Sequence, residues 1–159
     1  MNRIYNFLAS GFGISLLPAA ILKGRKNTGA GFLGTLLAVP FVFLMPSAWQ
    51  GQLIFAAAFS LFAIWIAAKS SFGGHDSPKI VIDEIAGYFC AVVCLPKTGG
   101  FLIAAFILFR LFDWLKPFFI KKFDDMKNAA GVVLDDVAAG IMANIILQAV
   151  FALEFLLEI

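Results

Sequence analysis

Residues 53–68 read LIFAAAFSLFAIWIAA and are followed by Lys69. The run contains no charged residue. With Gly51 and Gln52 in front, it approaches the ~20 residues that a helix needs to cross the hydrocarbon core of a bilayer. It is the clearest apolar stretch of the chain. These residues therefore predict a membrane-spanning helix, and with it an all-α fold class, an integral membrane helical bundle.

The composition of the whole chain agrees with a membrane protein. Its 159 residues are 62% hydrophobic and 14% charged, whereas a soluble domain is about a quarter charged. This composition argues against a soluble single-domain enzyme, and the 19 Phe exclude disorder. A net charge of only +2 excludes a nucleic-acid partner, and two cysteines provide no disulfide framework or metal knuckle. We expect one membrane-embedded domain, residues 1–159.

Other apolar stretches predict further helices, giving about four to six membrane-embedded helices in total. Residues 31–49 form one stretch, which two prolines interrupt. Residues 137–157 form the last one, with Asp135 or Asp136 as the expected N-cap. The first twenty residues fit a spanning, re-entrant or interfacial helix. A cleaved signal peptide fits them less well, because glycines and a proline interrupt the apolar run.

A helical hairpin is expected between these spans. Residues 85–95 and 101–108 are apolar, and the PKTGG sequence at 96–100 is a strong turn signal. Each arm is short for a full crossing, so we expect the helices to extend beyond their apolar runs at one end. A hairpin returns to the side that it left, which makes its two charged ends neighbours. Those ends carry Asp83, Glu84, Arg110 and Asp113.

Basic residues predict the orientation of the bundle. When the charged hairpin ends face the cytoplasm, nine basic residues are cytoplasmic and only Lys97 is clearly outside. The nine are Lys23, Arg25, Lys26, Lys69, Lys79, Lys116, Lys121, Lys122 and Lys127. We therefore expect a multi-pass protein whose functional site faces the cytoplasm.

The charges are concentrated in the centre of the chain. Sixteen of the 22 charged residues lie between Lys69 and Asp136, and so do eight of the ten acids. A charge near lipid costs a few kcal/mol unless it is paired, hydrated or bound to a metal. One acidic pair at a helix end is usually surface decoration or a cap. Three such groups on one side of a charge-poor membrane protein favour a functional site.

Five carboxylates form the predicted metal site: Asp83, Glu84, Asp113, Asp135 and Asp136. Carboxylates in such excess repel one another unless a cation joins them, and Mg²⁺ prefers carboxylate, water and phosphate oxygens. Arg110, Asp113 and Lys116 follow at intervals of three, so Asp113 shares a helix face with each of the two cations. A divalent metal beside basic side chains suits phosphoryl chemistry, in which Arg110 and Lys116 would hold phosphate.

The remaining polar residues have weaker patterns. His75, the only histidine, fits a general acid, a phosphate contact or an idle loop residue almost equally well. Asp124 and Asp125 lie in a hydrophilic stretch and are expected in a solvated loop. Cys90 and Cys94 lie four apart in an apolar helix and are expected to serve packing.

At these residues the chain resembles the phosphatidylglycerophosphatase A family of small bacterial membrane phosphatases. The motifs that carry the resemblance are His75-Asp76, Asp83-Glu84 with Gly87, Phe109-Arg110 with Asp113 and Lys116-Pro117, and Asp135-Asp136 with Ala139-Gly140. The match covers about residues 74–140 in order and spacing. The N-terminal third matches less well. Gly11-Phe12-Gly13 and Pro18 resemble the glycine-rich opening of the family, but Ala30-Gly31-Phe32 stands where Pro-Gly-Thr is expected and residues 23–27 resemble an insertion.

The resemblance implies Mg²⁺-dependent hydrolysis of phosphatidylglycerophosphate to phosphatidylglycerol and inorganic phosphate, on the cytoplasmic side of the bacterial inner membrane. The expected catalytic residues are His75, Asp83, Glu84, Asp113 and Asp136. A metal-activated water is the expected attacking group, and a carboxylate that forms a transient phosphoryl intermediate is the alternative.

Two other functions are compatible with an acidic cluster. A cation transporter or channel subunit would use the acids as an ion site, but such proteins often show repeated halves and acids near mid-bilayer. No repeat is evident in this chain. A lipid headgroup transferase would need a differently spaced acidic motif. The pattern of residues does not predict an oligomeric state.

Overall fold

A computed structural model describes residues 2–21, 29–72 and 77–157. Every regular element in those ranges is a helix, which confirms the all-α prediction. The α-helices are α1 (Asn2–Ala9), α2 (Leu16–Ile21), α3 (Ala30–Phe41), α4 (Trp49–Lys69), α5 (Ile82–Val92), α6 (Gly99–Leu115), α7 (Phe118–Asp124) and α8 (Ala129–Leu156). One 3-10 turn, Val42–Leu44, follows α3.

Helix α5 is the centre of the bundle. All of its residues except Glu84 are buried, and it packs against α3, α4, α6 and α8. Its backbone touches that of α8 at Gly87 and Gly140, where a Cβ on Gly140 would collide with the carbonyl oxygen of Gly87. Glycines at a crossing allow two helices to approach this closely. The close approach brings the acidic residues of α5 and α8 together.

Two helices in the described ranges are long and apolar enough to cross a membrane, α4 with 21 residues and α8 with 28. Large apolar side chains such as Ile54, Leu61 and Ile145 are exposed along them. The described ranges thus contain two candidate membrane spans, and the prediction of four to six membrane-embedded helices is not confirmed. Helix α5 has 11 residues, or ~16 Å, about half the thickness of the hydrocarbon core.

The described part of the first twenty residues forms two short helices, α1 and α2, and not one continuous helix. The chain breaks at Gly11, Phe12 and Gly13, which all have positive φ, of 59°, 59° and 90°. A positive φ belongs to the left-handed region, which is incompatible with a continuous right-handed helix. A re-entrant or interfacial position for α1 and α2 remains a prediction.

The break between α1 and α2 supports the loop that leads into α5. The N–H of Val81 donates to the carbonyl of Ala9 at 2.8 Å. The hydroxyl of Ser15 donates to the carbonyl of Lys79 at 2.7 Å. These bonds attach the residues just before α5 to the N-terminal segment.

The predicted span over residues 31–49 is wrong in its second half. Pro40 is accommodated inside α3, but the helix ends at Phe41 and the chain turns through Pro46 before α4 begins at Trp49. Proline lacks an N–H and restricts the residue before it, so two prolines six residues apart shorten the helix.

The predicted hairpin is confirmed as α5 and α6. Its connection is residues 93–98, and Gly99 and Gly100 open α6 instead of belonging to the turn. The backbone at the end of α5 is paired with side chains of other helices. Asn144 donates to the carbonyls of Ala91 and Val93, at 3.0 and 2.7 Å. Gln148 also donates to the Val93 carbonyl, at 3.0 Å.

The predicted N-cap of the last helix is wrong. Helix α8 begins at Ala129, and its cap is Asn128, whose side-chain oxygen accepts the N–H of Gly131 at 2.8 Å. Asp135 and Asp136 therefore lie about two turns inside the helix. The reason is that residues 129–134 are as compatible with a helix as the apolar run that follows.

Candidate active site

A cleft of about 400 Å³ opens at one end of the bundle. Its walls come from the start of α3, the loop before α5, the first turn of α5, the ends of α6 and α7, and the second turn of α8. The predicted site residues that line it are Asp83, Glu84, Arg110, Asp113, Lys116, Asp135 and Asp136. The structure thus brings together in one cleft every predicted site residue that it describes.

Three of these carboxylates form a tight group, the acidic trio of Asp83, Glu84 and Asp136. One oxygen of each lies within 4.8 Å of the others. Asp83 and Asp136 are 8% and 4% exposed, and Glu84 Oε2 is buried with no hydrogen-bond partner among the described residues. Three carboxylates this close and this poorly hydrated repel one another strongly if all are ionised. A shared divalent cation would remove that repulsion.

Asp113 lies in the same cleft but is paired with a cation. Its Oδ2 is 2.9 Å from Nη1 of Arg110, one turn earlier on α6. The two residues share a helix face, as their spacing of three predicts. The Arg110 side chain is 29% exposed, so the guanidinium still has N–H groups that can reach a ligand in the cleft.

Lys116 joins three helices. Its backbone is left-handed, with φ of 42°, and ends α6. Its ammonium lies 2.6 Å from Asp124 Oδ1 at the end of α7 and 2.5 Å from Asp135 Oδ2 on α8. Burial lowers the pKa of Lys116, but its hydrogen bonds to Asp124 and Asp135 outweigh burial and the net shift is upward. The group is therefore a permanent cation.

This network corrects the expectation for Asp124 and shows which acids Lys116 binds. Asp124 is half-buried and binds Lys116, so the solvated loop predicted for it is wrong, whereas Asp125 is exposed as expected. Lys116 makes its ion pairs with Asp124 and Asp135, not with Asp113. The left-handed turn before Pro117 redirects the lysine side chain away from the face that a continuous helix would give it.

Gly31 is a site residue that the motif analysis did not assign. A Cβ at this position would collide with the Glu84 carboxylate and lie 3.2 Å from Arg110 Nη1. The absent side chain thus leaves room for the carboxylate and the guanidinium against α3. The usable signal was that Gly31 keeps the central glycine of the Pro-Gly-Thr pattern although both of its neighbours differ.

Some predicted residues lie outside the described ranges. His75 is one of them, and Lys23, Arg25 and Lys26, which were counted for the orientation, are others. Both cysteines are described and are free; Cys90 is buried, as a packing residue should be, and Cys94 is half-buried.

Comparison with known proteins shows the family of this chain. The family model of phosphatidylglycerophosphatase A matches residues 7–151. The chain belongs to the phosphatidylglycerophosphatase A family. Phosphatidylglycerophosphatase A of Haemophilus influenzae is 36% identical over 98% of this chain and 91% of that protein. The protein of the same name from Escherichia coli K12 is 30% identical over 90% of this chain and 81% of its own length.

A third relative carries a different name. A Bacteroides thetaiotaomicron protein with the provisional name phosphatidylinositol-3-phosphatase is 31% identical over 88% of this chain and 89% of its own length. No solved structure matches the chain. The resemblance inferred from the motifs is confirmed, and the chain is a lipid phosphatase, a phosphoric monoester hydrolase. The transporter alternative is not favoured, and the bacterial relatives and two apolar helices indicate membrane association.

Proposed function

We propose that this protein hydrolyses phosphatidylglycerophosphate to phosphatidylglycerol and inorganic phosphate in a Mg²⁺-dependent reaction. The observation that carries the proposal is the acidic trio, whose oxygens lie within 4.8 Å of one another in a cleft that also holds Arg110. The names of two relatives that match most of the chain support the choice of substrate.

The acidic trio is the proposed metal site. Hard carboxylate oxygens are the ligands that Mg²⁺ prefers, and it usually keeps several waters beside one or two carboxylates. The buried, unpartnered Glu84 Oε2 is an oxygen atom that needs such a partner. When bound, the metal supplies neutralisation of phosphate charge and acidification of a water. We keep Asp113 and Asp135 as outer members of the site, which make ion pairs with Arg110 and Lys116.

Arg110 is the proposed phosphate clamp. Its guanidinium has five N–H donors, of which the ion pair with Asp113 uses only part. Lys116 has three N–H donors and uses two on Asp124 and Asp135, which leaves one for a substrate oxygen. Asp113 is the carboxylate that we assign to proton transfer, because it lies in the cleft but outside the trio. As water adds to phosphorus it gives a proton to Asp113, the phosphorus–oxygen bond to the glycerol breaks, and the leaving glycerol oxygen takes a proton to become the hydroxyl of phosphatidylglycerol.

The position of the acidic trio along α8 supports a lipid headgroup as the ligand of the cleft. The part of α8 beyond Asp136, residues 137–156, would cover ~30 Å, which is the thickness of the hydrocarbon core. The acidic trio would then lie at the boundary where lipid phosphates are found. Lys97 donates to the carbonyl of Met45 at the other end of the hairpin. The excess of basic residues at the cleft end supports a multi-pass protein with a cytoplasm-facing site in the bacterial inner membrane.

The test is phosphate release by the purified protein from phosphatidylglycerophosphate in mixed micelles, with Mg²⁺ and with chelator. We expect release that stops with chelator and returns with Mg²⁺. Asp113→Asn should lower kcat by about 100-fold or more, since one catalytic proton acceptor is lost. The control is Asp125→Asn. Asp125 is an exposed acid that does not line the cleft, so its loss should leave activity unchanged.

Each part of the proposal has its own contrary result. Release that is insensitive to chelator would contradict the proposed metal dependence. Full activity of Asp113→Asn would contradict the role of Asp113 in proton transfer. Phosphatidylinositol 3-phosphate belongs in the same assay, because one relative carries a name with that substrate. Faster release from it than from phosphatidylglycerophosphate would reassign the substrate.

A further inference from the structure

The line along which α3 faces α6, called the α3/α6 seam here, is a loosely packed part of the wall around the cleft. The seam is formed by Gly31 and Phe32 on α3 and by Phe106 and Arg110 on α6. Helices α3 and α6 pack on each other less closely than α5 packs on α8 or α6 on α8. The two sides of the seam also line the cleft, through Gly31 and Arg110.

Two aromatic rings close the seam below the charged residues. The ring centroids of Phe32 and Phe106 are 5.1 Å apart in an edge-to-face arrangement. Phe106 precedes Arg110 by four residues, so it lies on the same face of α6 one turn further from the cleft. Tyr88 of α5 lies behind it, fully buried, with its ring 6.2 Å from that of Phe106. Side chains, and not backbone, therefore separate this part of the cleft from the surroundings.

A diacyl lipid must enter such a cleft from the side, because its chains cannot leave the hydrocarbon without a large cost. The α6, α7 and α8 side is held together by the ion pairs of Lys116 with Asp124 and Asp135. Helix α5 forms the buried back wall. Phe32, by contrast, is 50% exposed, and an exposed ring can change rotamer within nanoseconds.

We propose that the acyl chains of the substrate leave the cleft through the α3/α6 seam, where Phe32 and Phe106 contact the part of a chain that has passed out of the cleft. This inference rests on the proposed function and names the path of the lipid. The order of side chains along α6 matches the order of groups in a phospholipid. Arg110 is placed for the phosphate and Phe106 for the chain. Trp114, 77% exposed on the other side of Arg110, is placed for the headgroup layer, where tryptophan is enriched.

The experiment compares two substrates with the same headgroup, dioleoyl and dihexanoyl phosphatidylglycerophosphate. For Phe32→Ala we expect kcat/KM on the dioleoyl substrate to fall about fivefold, mainly through KM, because a chain contact is lost in ground and transition states alike. The dihexanoyl substrate, whose chains are too short to fill the seam, should change less than about twofold. Phe62→Ala on α4 is the matched control, a partly exposed ring outside the cleft, and both of its values should equal those of the wild type.

A second measurement does not depend on kinetics. A photoreactive benzoylphenylalanine at position 32 should cross-link to the dioleoyl substrate. Excess dihexanoyl substrate should reduce this cross-link, at concentrations within about tenfold of those that inhibit turnover of the dioleoyl substrate. The same probe at position 62 should label lipid without any competition by substrate.

Two results overturn the inference. An active wild type whose Phe32→Ala variant loses the same factor on both substrates would exclude a chain contact at the seam while leaving the proposed function intact. Cross-links at position 32 that substrate does not compete would have the same meaning. A wild type that releases phosphate from neither substrate would overturn the proposed function as well, so the two failures are distinguishable.

Discussion

The two ends of α5 both carry polar groups that are out of contact with water, and they differ in how these groups are paired. At the far end, where the helix breaks at residues 93–94, Asn144 and Gln148 donate to its carbonyls, and the side chain of Gln52 accepts the N–H of Cys94 at 2.9 Å. At the cleft end three carboxylates face one another, and Glu84 Oε2 has no hydrogen-bond partner in the described part of the chain.

The difference separates structural from functional polarity. Backbone groups freed inside a membrane protein must be satisfied internally, and polar side chains of α4 and α8 do this at the far end. The cleft end lacks such internal pairing, because the three members of the trio are all carboxylates and cannot neutralise one another. A site whose polar groups lack partners in the folded chain is prepared for a ligand, whereas a site with complete pairing serves the fold.

The largest effect should come from removing one charge of the trio. Asp136→Asn should lower phosphate release by about 1,000-fold or more, because it deletes a proposed metal ligand. The same change should leave the midpoint of thermal unfolding without added metal equal or raised, since it relieves repulsion among buried carboxylates. Thermal scans in detergent and the phosphate assay check both statements. A variant that loses activity together with several degrees of stability would show that Asp136 serves the fold.

Gly31→Ala should have the next largest effect. Its methyl group would meet the Glu84 carboxylate and come within 3.2 Å of Arg110 Nη1, so either the trio or the phosphate clamp must shift. A displacement of about 1 Å in a catalytic site can cost roughly 100-fold in rate, and we expect a loss of that order. Gly100→Ala, where a Cβ meets nothing within 4 Å, is the matched control and should remain fully active. Equal activity of the two variants would contradict a role of Gly31 in the site.

The sequence predicts which residues form the site better than it predicts their contacts. Charges in a chain this apolar are conspicuous, so the residues of the cleft and the α5–α6 hairpin could be identified from position alone. The pairing of Arg110 with Asp113 also follows from their spacing, but the partners of Lys116 could not be predicted. Lys116 binds Asp124 because a left-handed residue before Pro117 turns its side chain, and no spacing rule for a continuous helix contains that turn.

The role of Gly31 could not be predicted either, because it depends on packing between helices. Its importance depends on how closely α3 approaches Glu84 and Arg110, two residues from other helices. The start of α8 was misplaced for a third reason. Residues 129–134 are apolar and compatible with a helix, so the acidic pair of Asp135 and Asp136 interrupts a helix instead of beginning one. Propensity alone does not distinguish an acid that caps a helix from one that a neighbouring helix requires.

The smallest effect on activity should come from the far end of α5. Asn144→Leu removes donors to the carbonyls of Ala91 and Val93, and only Val93 keeps a second donor, Gln148. Leaving one buried carbonyl without a partner costs ~1–3 kcal/mol, which should lower the unfolding midpoint by several degrees. Turnover of the folded protein should change by less than about twofold, because α5 keeps its contacts with α8 at Gly87 and Gly140. Ile145→Leu, on the exposed neighbour, should change neither quantity. If Asn144→Leu instead lost activity at unchanged stability, the far end would belong to the functional part of the molecule and the distinction between paired and unpaired polar groups would be wrong.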